Sequence, residues 1–284
     1  MKQILIPTDF SKNARNAIAY GLTFLKDQQC NIHFLHTYTP AFYRMDYVMG
    51  GPTFSAIPDP SVELSLIGLE KTVSQAKEEF SNPNHKYNML SSFNTLTDEI
   101  KASCEKWNVE LIVMGTQGAT GAKEIFLGTN TVHTLRKAQV PVLVVPEQCK
   151  YKKIETILFP TDYWTDYKME ELEFLLDQVK MLNAKIIVLH VNERAHISET
   201  QRKNKQLLNE KLKDVAHQFE WDNESSMPNA IHQFIKKNDI DLLVMMNRKH
   251  NFFERLLIKP NVDSMGFHTT IPFLVIPDTA PLVT

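Results

Sequence analysis

The segment Gly115-Thr116-Gln117-Gly118, followed after nine residues by Gly128-Thr129, is the part of the chain from which the fold is first inferred. An apolar run typical of a buried strand, residues 109–114, precedes it, and a helical pattern, residues 130–138, follows it. Glycine allows a backbone to approach an anion closely, and the N–H groups at a helix start point towards such a ligand. The succession of strand, glycine-bearing loop and helix predicts a chain that wraps a phosphate group.

This pattern belongs to a repeat that fills the chain. Four apolar strands of the first half return in the second half in the same order, which chance would rarely produce. We therefore expect two copies of one domain, residues 1–149 and 150–284. The paired segments are residues 3–11 and 156–164, 32–37 and 186–191, 110–114 and 241–245, and 140–146 and 271–277.

The spacing between the copies indicates an insertion in the first one. Equivalent residues lie 153 or 154 positions apart at the first two strands but 131 apart from Ile100 and Ile231 onwards, so the first copy holds about twenty-three additional residues. They fall between Pro40 and Pro60, where Gly50-Gly51-Pro52 is typical of an irregular loop. The aromatic residues of this insertion fit either a surface loop that packs on its own domain or a lid or partner surface.

Helical periodicity fills the intervals between the strands. Apolar residues recur at helical spacing after Ser11, a predicted N-cap, and again from Met169 onwards. Further helices are predicted over residues 61–80 and 199–219, and a short strand around residues 87–90. Strands that alternate with helices in this way predict an α/β fold with a parallel sheet and helices on both faces.

Asp9, at the end of the first strand, is the charged residue best placed for a ligand. In an open α/β sheet, ligands bind beyond the carboxyl ends of the strands, at the point where the strand order reverses. If the first and fourth strands are neighbours, Asp9 faces the glycine loop that begins at Gly115. A carboxylate suits the hydroxyl or amino groups of a nucleoside and repels phosphates, so we expect Asp9 at the nucleoside end and the glycines at the phosphate end.

These residues resemble the universal stress protein family. The resemblance rests on residues 7–11 (Pro-Thr-Asp-Phe-Ser), on Leu35-His36, and on the spacing of Gly115, Gly118 and Gly128-Thr129. It implies two tandem Rossmann-like domains, each with a five-stranded parallel sheet in the order 3-2-1-4-5, and it implies ATP as ligand, with or without Mg²⁺. The implied contacts to adenine and ribose are Pro7, Thr8, Asp9 and Thr37, and those to ribose and phosphate are Met114, Gly115, Gln117, Gly118, Gly128, Thr129 and Asn130.

The glycine loop lacks the residues of a P-loop NTPase. No Gly-Lys-Ser/Thr sequence ends it, so the lysine and the Mg²⁺-holding hydroxyl of that mechanism are missing. Lys123 fits either a phosphate contact or a solvated loop. Asp9 and Thr129 fit helix capping as well as ligand binding. We expect no catalytic residue and at most slow ATP hydrolysis.

The second copy lacks the glycine motif. Aligned without gaps, Gly115 corresponds to Met246, and the later motif positions correspond to Lys249, Lys259 and Pro260. Proline also has no N–H to donate. Asp162 persists, so the nucleoside corner could be intact while the phosphate cradle is lost. Basic side chains of this loop fit either an anion site or a solvated surface, and we interpret the second domain as structural or regulatory.

The remaining candidates indicate neither a metal site nor a disulfide. His36 and His190 occupy equivalent positions, which favours packing or hydrogen bonding over metal binding. Cys30, Cys104 and Cys149 are odd in number and form no CxxC pair, as expected of reduced thiols in a cytoplasmic protein. A net charge of −2 provides no basic field for nucleic acid, and no apolar run approaches the ~20 residues of a membrane helix.

These observations predict a cytoplasmic stress-response protein in which ATP or another adenine nucleotide acts as a regulatory switch. Two alternatives stay open: a slow ATPase or adenylate-type enzyme, and a protein-interaction module with a vestigial site. The fifth strands, residues 142–145 and 273–276, are apolar sheet edges, and such edges are usually covered. The resemblance implies that the two copies pair through these strands within one chain, and a homodimer of the whole chain is a further expectation.

Overall fold

The first strand of each repeat is apolar on both faces, as a parallel sheet covered by helices requires. In the computed structural model of the chain, which describes residues 1–38, 60–116, 127–191, 197–222, 227–247 and 270–277, residues 4–6 are completely buried. Residues 157–159 are buried in the same way. The described residues form two compact units: the first comprises the described residues up to Thr116 and residues 128–140, and the second comprises Leu127 and the described residues from Pro141 onwards.

The first unit contains four parallel strands and four helices in its described part. They are β1 (Lys2–Pro7), α1 (Lys12–Phe24), β2 (Cys30–Tyr38), α2 (Pro60–Glu79), β3 (His85–Phe93), α3 (Leu96–Trp107), β4 (Leu111–Gly115) and α4 (Thr129–Lys137). The strand order is β3-β2-β1-β4. Because β1 lies between β2 and β4, the chain direction across the sheet reverses at β1, and a crevice opens at the carboxyl ends of β1 and β4.

The second unit contains the remaining strands. Its elements are β5 (Val142–Val145), β6 (Thr156–Thr161), α5 (Met169–Leu182), β7 (Lys185–Val191), α6 (Glu199–Lys211), β8 (His217–Asp222), α7 (Met227–Lys237), β9 (Leu242–Asn247) and β10 (Phe273–Pro277). Five strands are parallel in the order β8-β7-β6-β9-β10, and β5 pairs with β10 in the antiparallel direction. None of the helices that the structure describes is long and apolar enough to cross a membrane.

The predicted α/β fold with a mainly parallel sheet is confirmed. The order 3-2-1-4-5 is complete in the second repeat, and the four strands of the first unit follow 3-2-1-4. The border between residues 149 and 150 stays a prediction of where the repeats join. The inserted residues 40–60 lie outside the described part of the chain, apart from Pro60 at the start of α2.

Three predicted elements differ from the structure. The helix predicted over residues 199–219 ends at Lys211, because the residues from His217 onwards pair with β7 as strand β8. Strand β3 is longer than residues 87–90, since it pairs with β2 over nine residues. Met169, predicted to be part of an apolar face, is 48% exposed as the first residue of α5. Tertiary pairing outweighs local pattern in the first two cases.

Candidate functional site

A cavity of about 140 Å³ lies at the carboxyl ends of β1 and β4, where the sequence predicted a ligand. Strands β1 and β4 are neighbours, with Ile4 opposite Leu111. The predicted site residues that line the cavity are Pro7, Thr8, Asp9, Thr37, Met114, Gly115 and Asn130. Gly128 and Thr129 are described but do not line it, and Gln117 and Gly118 lie outside the described residues.

The turn after β1 is held by its own side chains. The Phe10 N–H donates to Thr8 Oγ1 over 3.0 Å, and the Ser11 N–H donates to Asp9 Oδ1 over 3.1 Å. Ser11 Oγ in turn accepts from the N–H of Ala14 and caps α1, which confirms the predicted N-cap. Asp9 therefore does not cap α1 itself, and its carboxylate stands exposed at the rim of the cavity.

Phe10 adopts a left-handed backbone conformation with φ of 63°, which is uncommon for a residue other than glycine. Its ring stacks on His36 with 4.5 Å between the ring centres. A Cβ atom added at Gly68 in α2 would lie 2.4 Å from the ring of Phe10. Glycine at position 68 therefore provides the space in which the stacked ring lies.

Gly68→Ala should reveal this packing through coupling with Phe10. In a Phe10→Ala background, alanine at position 68 should stabilise the helix by about 1 kcal/mol, because glycine is a poor helix former. In the wild-type background the ring must move off His36, and the lost ring contact should cancel about 1 kcal/mol of that gain. Denaturant unfolding of the wild type, the two single variants and the double variant gives the coupling free energy between positions 10 and 68. Additive changes in the free energy of unfolding would contradict the described packing.

Glycine at position 115 allows α1 to approach the end of β4. A Cβ atom added there would lie 2.6 Å from Oδ1 and 2.9 Å from Cγ of Asn13, a buried residue of α1. Asn13 Nδ2 donates to Thr116 Oγ1 over 3.4 Å. Thr131 Oγ1 in α4 donates to the carbonyl oxygen of Gly115 over 3.0 Å. The contacts of these side chains hold α1, β4 and α4 together around the cavity.

The start of α4 carries no side-chain cap. Gly128 is the N-cap residue and has no side chain to offer, while its N–H donates to the Thr116 carbonyl oxygen over 2.7 Å. Thr129 is the first helical residue, so its alternative interpretation as the capping residue is wrong. An N-cap without a side chain leaves room for an anion at the first turn of the helix.

Sequence reasoning missed four residues that line the cavity. Ala14, Leu96 and Thr131 come from three helices, and His36 comes from the end of β2. Helical residues line the cavity because whole helices pack beside it, and no local sequence motif predicts that packing. His36 had a signal, since Leu35-His36 belongs to the family pattern, but the sequence interpretation assigned it to packing or hydrogen bonding and not to the ligand site.

Burial lowers the pKa of His36 below its usual value of 6.5, while the nearby Asp9 carboxylate acts in the opposite direction. His36 Nδ1 lies 2.8 Å from Ser65 Oγ, so the predicted hydrogen-bonding role is observed. Burial also raises the pKa of each cysteine thiol to about 11, and none of the three forms a disulfide. Within the described residues, no group of three or more His, Cys, Asp or Glu side chains could hold a metal ion.

The sequence profile of the universal stress protein family matches residues 1–146 and 153–277. The chain belongs to this family. The two matches stand in tandem, which confirms the predicted repeat.

Relatives of this universal stress protein match half of it. Universal stress protein MJ0577 of Methanocaldococcus jannaschii is 28% identical over 163 residues, covering 51% of this chain and 94% of that protein. Universal stress protein MJ0531 of the same organism is 31% identical over 153 residues, covering 52% and 84%. The crystal structure of a universal stress protein from Archaeoglobus fulgidus DSM 4304 shares the fold with a TM-score of 0.62, at 19% identity, over 97% of this chain and 96% of that one.

The second repeat of this universal stress protein keeps the turn but places a tyrosine side chain on it. Thr161 Oγ1 accepts from the N–H of Tyr163, and Asp162 Oδ1 accepts from the N–H of Trp164, as in the first repeat. The buried Tyr167, however, donates its hydroxyl to Thr161 Oγ1 over 2.7 Å. Tyr167 therefore packs on Thr161, whereas the equivalent Thr8 of the first repeat lines the cavity.

A longer turn places Tyr167 there. Helix α1 begins four residues after Thr8, whereas α5 begins eight residues after Thr161. At the end of β9, the buried Met246 stands where the first repeat has Gly115, so this position carries a side chain in the second repeat.

Proposed function

We propose that this universal stress protein binds ATP or another adenine nucleotide in its first repeat, and that the bound nucleotide acts as a regulatory switch in a cytoplasmic stress response. The observation that carries the proposal is the cavity at the carboxyl ends of β1 and β4. It is lined by a carboxylate from one strand end and by a glycine from the other. The second repeat, in which Met246 replaces Gly115 and Tyr167 packs on Thr161, serves in this proposal as a structural or regulatory partner.

The two ends of the nucleotide have different requirements. Asp9 accepts hydrogen bonds and repels phosphates, so the nucleoside belongs at the β1 end, together with Pro7, Thr8 and Thr37. The phosphates belong at the β4 end and the start of α4, where N–H groups and the helix dipole favour negative charge. The residues proposed for that end are Met114, Gly115, Gln117, Gly118, Gly128, Thr129 and Asn130.

Mg²⁺ is compatible with this placement of the nucleotide, but the described cavity does not provide a full set of protein ligands for it. Asp9 is the one carboxylate that lines the described cavity. Mg²⁺ at nucleotide sites retains several waters and binds phosphate oxygens with one or two carboxylates. In the proposal, any Mg²⁺ arrives with the phosphates, and Asp9 stays with the nucleoside.

We include in the proposal the pairing of the two repeats through their fifth strands. The antiparallel register of β5 with β10, in which Leu143 lies opposite Leu274, supports it. The burial of both strands agrees with edges that are covered. Dimerisation of the whole chain remains a further proposal, which sedimentation analysis of the purified protein tests.

Asp9→Asn should weaken nucleotide binding by about ten- to a hundredfold, because a hydrogen bond to a charged group contributes about 1.5–3 kcal/mol. The amide oxygen of asparagine can still accept from the Ser11 N–H, so the turn and the thermal midpoint should change little. Calorimetric titration with ATP measures the affinity.

Asp162→Asn is the matched control, since Asp162 makes the same backbone contact in the second repeat. It should leave the affinity unchanged. Equal losses in both variants, or no loss in Asp9→Asn, would contradict the assignment of the nucleoside end.

A further inference from the structure

His36 forms part of the cavity wall and is tied to a pair of hydroxyl groups. Its Nδ1 lies 2.8 Å from Ser65 Oγ, which lies 2.7 Å from Ser91 Oγ. Ser65 is completely buried, and the ring of Phe10 covers one face of the imidazole. Because Nδ1 is engaged by Ser65, Nε2 is the ring nitrogen left for a ligand in the cavity.

The two hydroxyls allow His36 to change its charge without losing a hydrogen bond. When the imidazole is neutral with its hydrogen on Nε2, Ser65 donates to Nδ1 and accepts from Ser91. When the imidazole is protonated, Nδ1–H donates to Ser65, and Ser65 donates to Ser91. A hydroxyl can rotate between these two arrangements, so both protonation states satisfy the buried groups.

Of the described groups that face His36, one is charged and the others are neutral. Asp9, from the turn after β1, is the charged group of the described residues that acts on it, and it favours the protonated form. Helix α2 and strand β3 contribute the neutral hydroxyls of Ser65 and Ser91. Helices α1 and α3 contribute apolar side chains, Ala14 and Leu96, to the same cavity.

The equivalent histidine of the second repeat lacks this freedom. His190 Nδ1 lies 3.0 Å from the Thr161 carbonyl oxygen, which can only accept, so Nδ1 carries the hydrogen. Its Nε2 is buried and has no hydrogen-bond partner among the described residues. Protonation would leave a buried N–H group unsatisfied, so His190 stays neutral and provides a matched control.

We propose that His36 contacts the nucleoside part of the nucleotide through Nε2–H and makes nucleotide binding weaken in acid. This inference rests on the proposed function, because it concerns the same cavity. A nucleoside that fills the cavity removes the remaining water from the imidazole, and its hydroxyls compete for the Asp9 carboxylate. Both effects disfavour the protonated ring, and the proposal requires that together they outweigh the stronger hydrogen bond that a charged imidazole would donate through Nε2–H.

The direction of the pH effect follows from linkage. A ligand that lowers the pKa of His36 binds the protonated protein more weakly by the same factor. Burial already lowers that pKa from 6.5 in the unliganded protein. The loss of affinity should therefore develop below about pH 6.5.

Calorimetric titrations with adenosine and with ATP, between about pH 5 and about pH 7.5, test the inference. Adenosine is the informative probe, because the phosphates of ATP titrate in the same range. The wild-type affinity for adenosine should fall about tenfold on acidification, which corresponds to a shift of one pKa unit. The fall in adenosine affinity on acidification should vanish in His36→Gln, because glutamine keeps a side-chain donor but does not titrate. The same fall should persist in His190→Gln.

An NMR titration of the His36 ring in the wild-type protein tests the same link without any variant. Its pKa should fall when adenosine or ATP is bound, and an unchanged or raised pKa would overturn the inference. A pH profile that is the same in His36→Gln as in the wild type would also overturn it while leaving the nucleotide site in place. Failure of ATP to bind at any pH would overturn the proposed function itself.

Discussion

Replacing Gly115 by methionine, the residue at the equivalent position of the second repeat, is expected to abolish ATP binding. The new Cβ would lie 2.6 Å from Asn13 Oδ1, and the rest of the side chain would enter the cavity that Gly115 lines. Because Asn13 is buried in α1, the amide has little room to withdraw. We expect an affinity loss of at least about a hundredfold, or ~2.7 kcal/mol. Overpacking should also lower the free energy of unfolding by about 1–3 kcal/mol.

Gly21→Val separates the loss of ATP affinity from the loss of stability. A Cβ at position 21 would lie 2.9 Å from Val113 Cγ1, so this substitution also overpacks the junction of α1 with β4, but Gly21 does not line the cavity. It should destabilise the protein while the folded fraction keeps its affinity for ATP. Calorimetric titration and denaturant unfolding of both variants give the two quantities. Strong ATP binding by Gly115→Met would exclude Gly115 from the site.

Replacing Asp241 by alanine is expected to destabilise the second repeat by about 3 kcal/mol. Asp241 is buried, and its Oδ2 accepts the N–H groups of Glu155 and Thr156 over 2.8 and 2.9 Å. Its Oδ1 lies 2.7 Å from Lys152 Nζ. Alanine would leave two backbone donors and one ammonium group without this partner. Asp239→Ala, an exposed neighbour, is the control and should have little effect.

The contribution of Asp241 should depend on pH in a defined direction. Burial alone raises the pKa of this carboxyl, but the hydrogen bonds from Lys152, Glu155 and Thr156 outweigh it and lower the pKa. A carboxyl with a lowered pKa in the folded state stabilises the protein above its unfolded pKa, about 3.9, and loses that effect as the pH falls through the folded value. The difference in unfolding free energy between wild type and Asp241→Asn should therefore be constant near neutral pH and shrink below about pH 4. A difference that persists there would contradict the charge-based account.

The parts of the fold that follow from local chemistry could be predicted from the sequence. The central strands were recognisable because residues 4–6 and 157–159 are apolar on both faces. The start of α1 could be predicted because Ser11 is a residue type that caps helices, and its Oγ accepts the Ala14 N–H. Such short-range patterns leave a direct signature in the sequence.

The parts that depend on contacts between distant elements could not be predicted in this way. Strand β8 continues a pattern that looked helical, and its pairing with β7 is what makes it a strand. Tyr167 packs on Thr161 because the turn before α5 is longer than the turn before α1, and the repeated strands carry no signal of that length. His36 was assigned to packing or hydrogen bonding, and its place in a cavity wall was missed because that wall depends on helices that pack from elsewhere in the chain.

The most direct test of the account is the number of adenine nucleotides bound per chain. Nucleotide released by denaturation from freshly purified protein is identified by mass spectrometry, and ATP is then titrated into the stripped protein by calorimetry. The account predicts an adenine nucleotide with one site per chain, lost in Gly115→Met and retained in Met246→Gly. Two sites per chain would contradict the assignment to the first repeat. No bound nucleotide and no binding of added ATP would contradict the nucleotide site itself and favour a protein-interaction module.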